Sequence, residues 1–135
     1  MHLKRLLVAT LLFALACKSP TPEEQLDSII SWIGTAVMAG DAWIRHTTPD
    51  AYTRQTLELS HDTLLQLADD LLKQPLPGVD TASLDSVLTR SRGRVAEMAR
   101  LVQDKNSPAF NNQLDSLRID EKAVKHMADA LSPKQ

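Results

Sequence analysis

The chain has 135 residues, 43% of them hydrophobic, 24% charged and 4% aromatic, with a formal charge of −2 and one cysteine, Cys17. That length accommodates one domain; a single cysteine excludes a disulfide framework, a cysteine-based zinc site and a CxxCH haem attachment. A charge this near zero gives no case for nucleic acid as a partner, and four glycines with seven prolines are too few for a disordered or fibrous chain.

The first element is a targeting segment, residues 1–16. Met1-His2-Leu3-Lys4-Arg5 is a short basic head, Leu6 to Leu15 is uncharged and mostly apolar, and Ala16-Cys17 follows. This is the pattern of a secretory signal peptide. The apolar run is too short to span a bilayer stably, which takes about 20 residues. Phe13-Ala14-Leu15-Ala16-Cys17 resembles the lipobox of bacterial lipoproteins. The resemblance implies cleavage before Cys17 by signal peptidase II and a diacylglyceryl group on its thiol. It also implies attachment to the membrane of the cell envelope, with Lys18 favouring the outer membrane in a host that has one. The competing reading is Ala14-Leu15-Ala16 as an A-x-A site for the ordinary signal peptidase, which would release a soluble protein with a free Cys17; the only cysteine of the chain lying directly after the site argues for lipid. Cleavage removes Lys4 and Arg5 and no acid, so lipid rather than a basic patch would hold the acidic remainder at a membrane. Residues 17–21 form the lipidated end and a very short tether, which places residues 22–135 close to the bilayer.

Prolines and capping residues then mark four helices, at about 22–46, 49–74, 82–105 and 108–131. Thr21-Pro22-Glu23-Glu24 combines an N-cap threonine, a first-turn proline and a third-position glutamate. Thr48-Pro49 and Ser107-Pro108 repeat the start, Asp80-Thr81 opens the third helix, and Pro75-Leu76-Pro77-Gly78 is a breaker. Each segment carries an apolar stripe at alternating four- and three-residue steps. The first runs Leu26, Ile30, Ile33, Val37, Gly40, Ile44, and the second Leu57, His61, Leu64, Ala68, Leu71. The third runs Leu84, Leu88, Ser91, Val95, Met98, Val102, and the fourth Phe110, Leu114, Leu117, Glu121, Val124, Ala128, Leu131. Near-equal helices with short links predict an all-α, antiparallel up-down-up-down four-helix bundle. The alternative is a two- or three-helix unit that completes its core by dimerising.

His61, Ser91 and Glu121 interrupt three stripes near the helix midpoints, which lie at one height in such a bundle. Together they predict a buried polar layer that fixes register, or a ligand or metal site. Alternatively Glu121 turns outward to Lys125, one turn on. Glu58-Leu59-Ser60-His61 spells E-x-x-H once, where a di-iron bundle needs it twice. His126 has no opposing axial ligand for haem. No metal and no cofactor is therefore expected.

Trp32 and Trp43 lie on one side of the first helix. They either cap the groove between two helices or form a partner-contact face. Gly40 between them allows a close helix approach, whereas Gly34 and Gly93 have no reason visible in the sequence. Arg90, Arg92, Arg94 and Arg100 make the third helix basic, and Asp62, Asp69 and Asp70 make the second partly acidic. These read as solvated faces with some cross-helix pairs. His46 closes the first helix, where a cation suits the dipole. There is no GxSxG, HExxH, P-loop or Gly-rich phosphate loop. The chain therefore reads as a non-enzymatic interaction or structural protein with an unknown envelope partner, its oligomeric state open. The alternative is a small-molecule or metal-binding bundle with a polar mid-core site.

Overall fold

The computed structural model describes residues 19–131; the signal segment, the Cys17 lipidation site and residues 132–135 lie outside them. Among the described residues there are four helices and no strand: α1 (Pro22–Ile44), α2 (Asp50–Leu72), α3 (Thr81–Gln103) and α4 (Ser107–Leu131). Each packs on the next, α4 closes the ring against α1, and α1 touches α3 slightly across the diagonal. Short links reverse the chain each time, so the fold is an all-α, up-down-up-down four-helix bundle.

Local chemistry explains the helix ends. Thr21 Oγ1 accepts the Glu24 N–H at 3.2 Å with Pro22 in the first turn. Asp80 accepts the Ser83 N–H at 3.3 Å and the Ser83 hydroxyl at 2.7 Å. The other two starts differ from the spacing of their prolines. Pro49 occupies the cap position of α2 without a side-chain bond, and Thr48 pairs with Thr53 instead, Oγ1 to Oγ1 at 2.9 Å. Asn106, not Ser107, caps α4, its Oδ1 accepting the Ala109 N–H at 3.2 Å. α1 and α3 stop in the same way. His46 N–H donates to Trp43 O and Thr47 N–H to Ala42 O; Lys105 N–H donates to Val102 O and Asn106 N–H to Leu101 O. These are Schellman closures. They place His46 (φ 58°) and Lys105 (φ 54°) in the left-handed region, and so end both helices earlier than the apolar spacing predicts.

α3 buries its whole predicted stripe, Leu84, Leu88, Ser91, Val95, Met98 and Val102; in the other three helices the core arc differs from the prediction, in the same sense. α1 buries Leu26, Ile29, Ile33, Ala36, Gly40 and Trp43, while Ile30, Val37 and Ile44 are half-buried. α2 buries Thr53, Leu57, Ser60, Leu64, Ala68 and Leu71. α4 buries Phe110, Leu114, Leu117, Asp120 and Val124. After Leu26, Leu57 and Leu117 the inward residue is the third one on (Ile29, Ser60, Asp120), where alternation predicts the fourth (Ile30, His61, Glu121). At about 100° per residue these two positions fall on either side of the anchoring leucine. A helix in a closed ring packs on two neighbours and buries an arc wider than a coiled-coil seam, and the neighbours decide which side turns in.

Gly40 sits where α1 comes closest to the rest. A Cβ there would lie 2.9 Å from Leu114 Cδ1 on α4 and 3.1 Å from Met98 Cε on α3.

Candidate functional site

The three polar interrupters do not meet. Ser91 is buried and donates its hydroxyl to Val87 O at 2.7 Å. Ser60 does the same to Thr56 O at 2.8 Å. Both are satisfied within their own helix and need no cross-core partner. His61 is one-third exposed, its Nδ1 3.1 Å from Asp62 Oδ1, and it lines an outer groove between α2 and α3. Glu121 lies on the α1–α4 seam, 18% exposed, beside Gly34 and 3.7 Å from Lys125 Nζ. Those two seams are on opposite sides of the ring. The predicted layer of His61, Ser91 and Glu121 is therefore not formed, because at that level of α2 and α4 Ser60 and Asp120 turn inward instead, while the rest of the α2 stripe, and of the α4 stripe through Val124, is buried as predicted. Among the described residues no group of His, Cys, Asp and Glu is placed to hold a metal ion, and every buried side-chain polar atom has a partner.

The buried ionic group is one that the stripe pattern misses. Asp120 is 2% exposed and accepts Arg90 Nε at 3.1 Å and Arg94 Nε at 2.8 Å. Arg94 Nη1 also donates to Gln113 Oε1 at 3.4 Å. The carboxylate is saturated by two cations whose far ends reach solvent, so the cluster clamps α3 to α4. Its trace in the sequence is Arg90 and Arg94 at i,i+4 on the basic helix. On the α1–α4 seam Arg118 bonds Asp41 of α1 and Asp115 of its own helix. The Asp41 carboxylate raises the Arg118 guanidinium above its ordinary value. On α3, Arg100 bonds Glu97 and, at 2.6 Å, Asp104. The Arg100 guanidinium lowers the Glu97 carboxyl in return.

Two grooves differ in chemistry. The α2–α3 groove, about 400 Å³, sets Arg54, Glu58, His61, Asp62 and Arg100 around small Ala96 and Ala99. Its Arg54 lies 3.7 Å from Glu58. The α1–α2 groove, about 270 Å³, is lined by Thr35, Met38, Ala39, Ala42, Thr48, Tyr52 and Thr56, with no charged side chain. Met38 is 73% exposed, Tyr52 59%, and Leu59, two helical turns beyond Tyr52, 56%.

The tryptophans separate. Trp43 is buried, its ring 4.6 Å from that of Phe110, with Nε1–H donated to Asp50 Oδ1 at 2.7 Å. It is not part of a partner-contact face; it ties the end of α1 to the starts of α2 and α4. The same rotation that buries Ile29 and Ala36 carries Trp43 inward. Trp32 is half-buried, and it precedes Thr35 and Ala39 by three and seven positions, on the α1–α2 side.

No helix among the described residues is long and apolar enough to cross a membrane. Compared with protein families, with curated proteins and with solved structures, the chain matches none.

Proposed function

We propose that this is an exported bacterial lipoprotein, held to the cell envelope by lipid on Cys17. Its bundle acts close to the membrane as a non-enzymatic interaction or structural protein, through the α1–α2 face. The observation that carries the reading is that face itself. Met38, Tyr52 and Leu59 stand out on an uncharged surface, while the other seams carry ion pairs. Clustered exposed apolar and aromatic side chains are the signature of contact surfaces. The anchor rests on Phe13-Ala14-Leu15-Ala16-Cys17, and α1 begins at Pro22, so the start of α1 would face the bilayer.

A photo-crosslinking residue at Tyr52, compared with one at exposed Thr89 on α3, tests the face in intact envelopes. Adducts from position 52 alone are expected; equal labelling from both removes it. Cys17→Ser should abolish the acyl mass on the N-terminal peptide and release the chain from membranes. Unchanged membrane association would refute the anchor.

A second reading, small-molecule binding, is supported by the α2–α3 groove rather than by the core. A ligand-induced rise in melting temperature that His61→Ala and Arg100→Ala abolish would establish it.

A further inference from the structure

We propose that the α1–α2 face binds the same face of a second copy of this chain, forming a two-fold dimer; this rests on reading that face as the interaction surface. α1 and α2 are antiparallel helices of 23 residues each. The Trp43–Asp50 hydrogen bond holds their ends level. At equal rise along both helices, Met38 is level with Thr56, Tyr52 with Ala42, and Leu59 with Thr35. A two-fold axis parallel to the helices sets α1 of one copy against α2 of the other without changing any height. Each of the three protruding side chains then meets a small one: Met38 meets Thr56, Tyr52 meets Ala42, and Leu59 meets Thr35. Knobs and hollows on one surface, at matched heights, are what an isologous contact requires.

Charge points the same way. Near a two-fold axis a charged residue meets its own copy, so a self-pairing face must be neutral along its middle. From Ser28 and Gln66 up to Ala42 and Tyr52 the residues along the middle of this face carry no charge, and exposed Asp62, one turn from Leu59 and from Gln66, stands at its outer edge. The other seams do not qualify: one presents Arg54, Glu58 and Asp62, another Arg90, and the third Arg118. The uncharged stretch, about 21 Å long and about 20 Å wide, offers about 420 Å² per partner, about half of the ~800 Å² of a standard interface and in the range of weak, readily reversible contacts. The axis also leaves both α1 starts at the same end, as two anchors in one membrane require. That confinement raises the effective concentration of the second copy.

The test uses the full chain, purified in detergent and weighed by analytical ultracentrifugation. A dimer is expected. Met38→Lys and Tyr52→Lys should each raise its dissociation constant about tenfold or more. Both side chains are mostly exposed in the single chain, so far-UV circular dichroism should not change, while the melting midpoint should fall only by the loss of dimer stabilisation and should lose its dependence on concentration. Copies carrying Met38→Cys mixed with copies carrying Thr56→Cys should form an intermolecular disulfide, and Thr89→Cys copies should not. A wild-type chain that stays monomeric at every concentration, or self-association untouched by Met38→Lys, overturns the dimer. If the chain is monomeric and position 52 crosslinks to a different protein, the face stands and the second copy is wrong. If it is monomeric and position 52 crosslinks to nothing, both readings fail.

Discussion

Replacing Gly40 by alanine destabilises the bundle, whereas the same replacement at Gly93 stabilises it. Each substitution gains about 1 kcal/mol of helix propensity. At Gly93 nothing lies within 4 Å of the added Cβ, so the gain is kept. At Gly40 the Cβ would lie 2.9 Å from Leu114 Cδ1, 3.1 Å from Met98 Cε and 3.3 Å from Phe110 Cζ. Non-bonded carbons rest at about 3.5–4.0 Å, so three buried side chains on two helices must yield together. Over-packing of this kind costs about 1–3 kcal/mol. The propensity gain cancels between the two variants, so their stabilities should differ by about 1–3 kcal/mol, or roughly 4–12 °C in melting temperature. Thermal and urea unfolding followed by circular dichroism measure the difference. Equal stabilisation by both substitutions would refute the close approach of α1 to α3 and α4. Gly34→Ala belongs with Gly93→Ala, because its Cβ meets only Glu121 Oε2, at 3.1 Å and at the end of a movable side chain.

Asp120→Ala should cost about 2–3 kcal/mol, since it strips two arginines of a buried partner, while Arg90→Ala should cost under about 1 kcal/mol because Arg94 remains; equal costs in urea unfolding would contradict the clamp. His46→Gly and Lys105→Gly should each stabilise by about 1 kcal/mol by relieving a left-handed side-chain conformation, and a loss of stability would show that those side chains hold the helix ends. The Ser83 hydroxyl and N–H lower the Asp80 carboxyl, so its contribution is present above the unfolded value of about 3.9 and is lost as pH falls through the lower folded value. The gap in melting temperature between wild type and Asp80→Ala should therefore be open at neutral pH and narrow below about pH 4; a gap independent of pH would rule out this role.

Much of the fold is legible in the amino-acid order because its signals are local. Thr21 before Pro22, Asp80 before Thr81, and the Pro75–Gly78 breaker act over one turn of chain, and the structure shows helices starting and stopping there. Asn106 was hidden for a simple reason: Asn106 and Ser107 are both good caps in adjacent places, and only the Ala109 N–H shows which is used. The candidate site was less legible. The interruptions at His61, Ser91 and Glu121 are real features of the stripes, but only Ser91 is in the core, and it bonds its own helix. Met38, Tyr52 and Leu59 give no sequence signal as a group, since they lie on two helices and share a face only after α1 and α2 pair.

What the sequence by itself determined is therefore the number of helices, their order and approximate ends, and the side of each that carries apolar residues, because caps, prolines and a 3.6-residue period depend only on near neighbours. Tertiary structure decided a choice between adjacent positions, along α1 and at one level each of α2 and α4. In α1 both Ile29 and Ile30, both Ala36 and Val37, and both Trp43 and Ile44 can be buried, so hydrophobicity does not choose between them. The two neighbours of each helix do. That choice puts Trp43 on Phe110, sets Asp120 between Arg90 and Arg94, turns His61 and Glu121 to opposite outer seams, and leaves an uncharged face along α1 and α2.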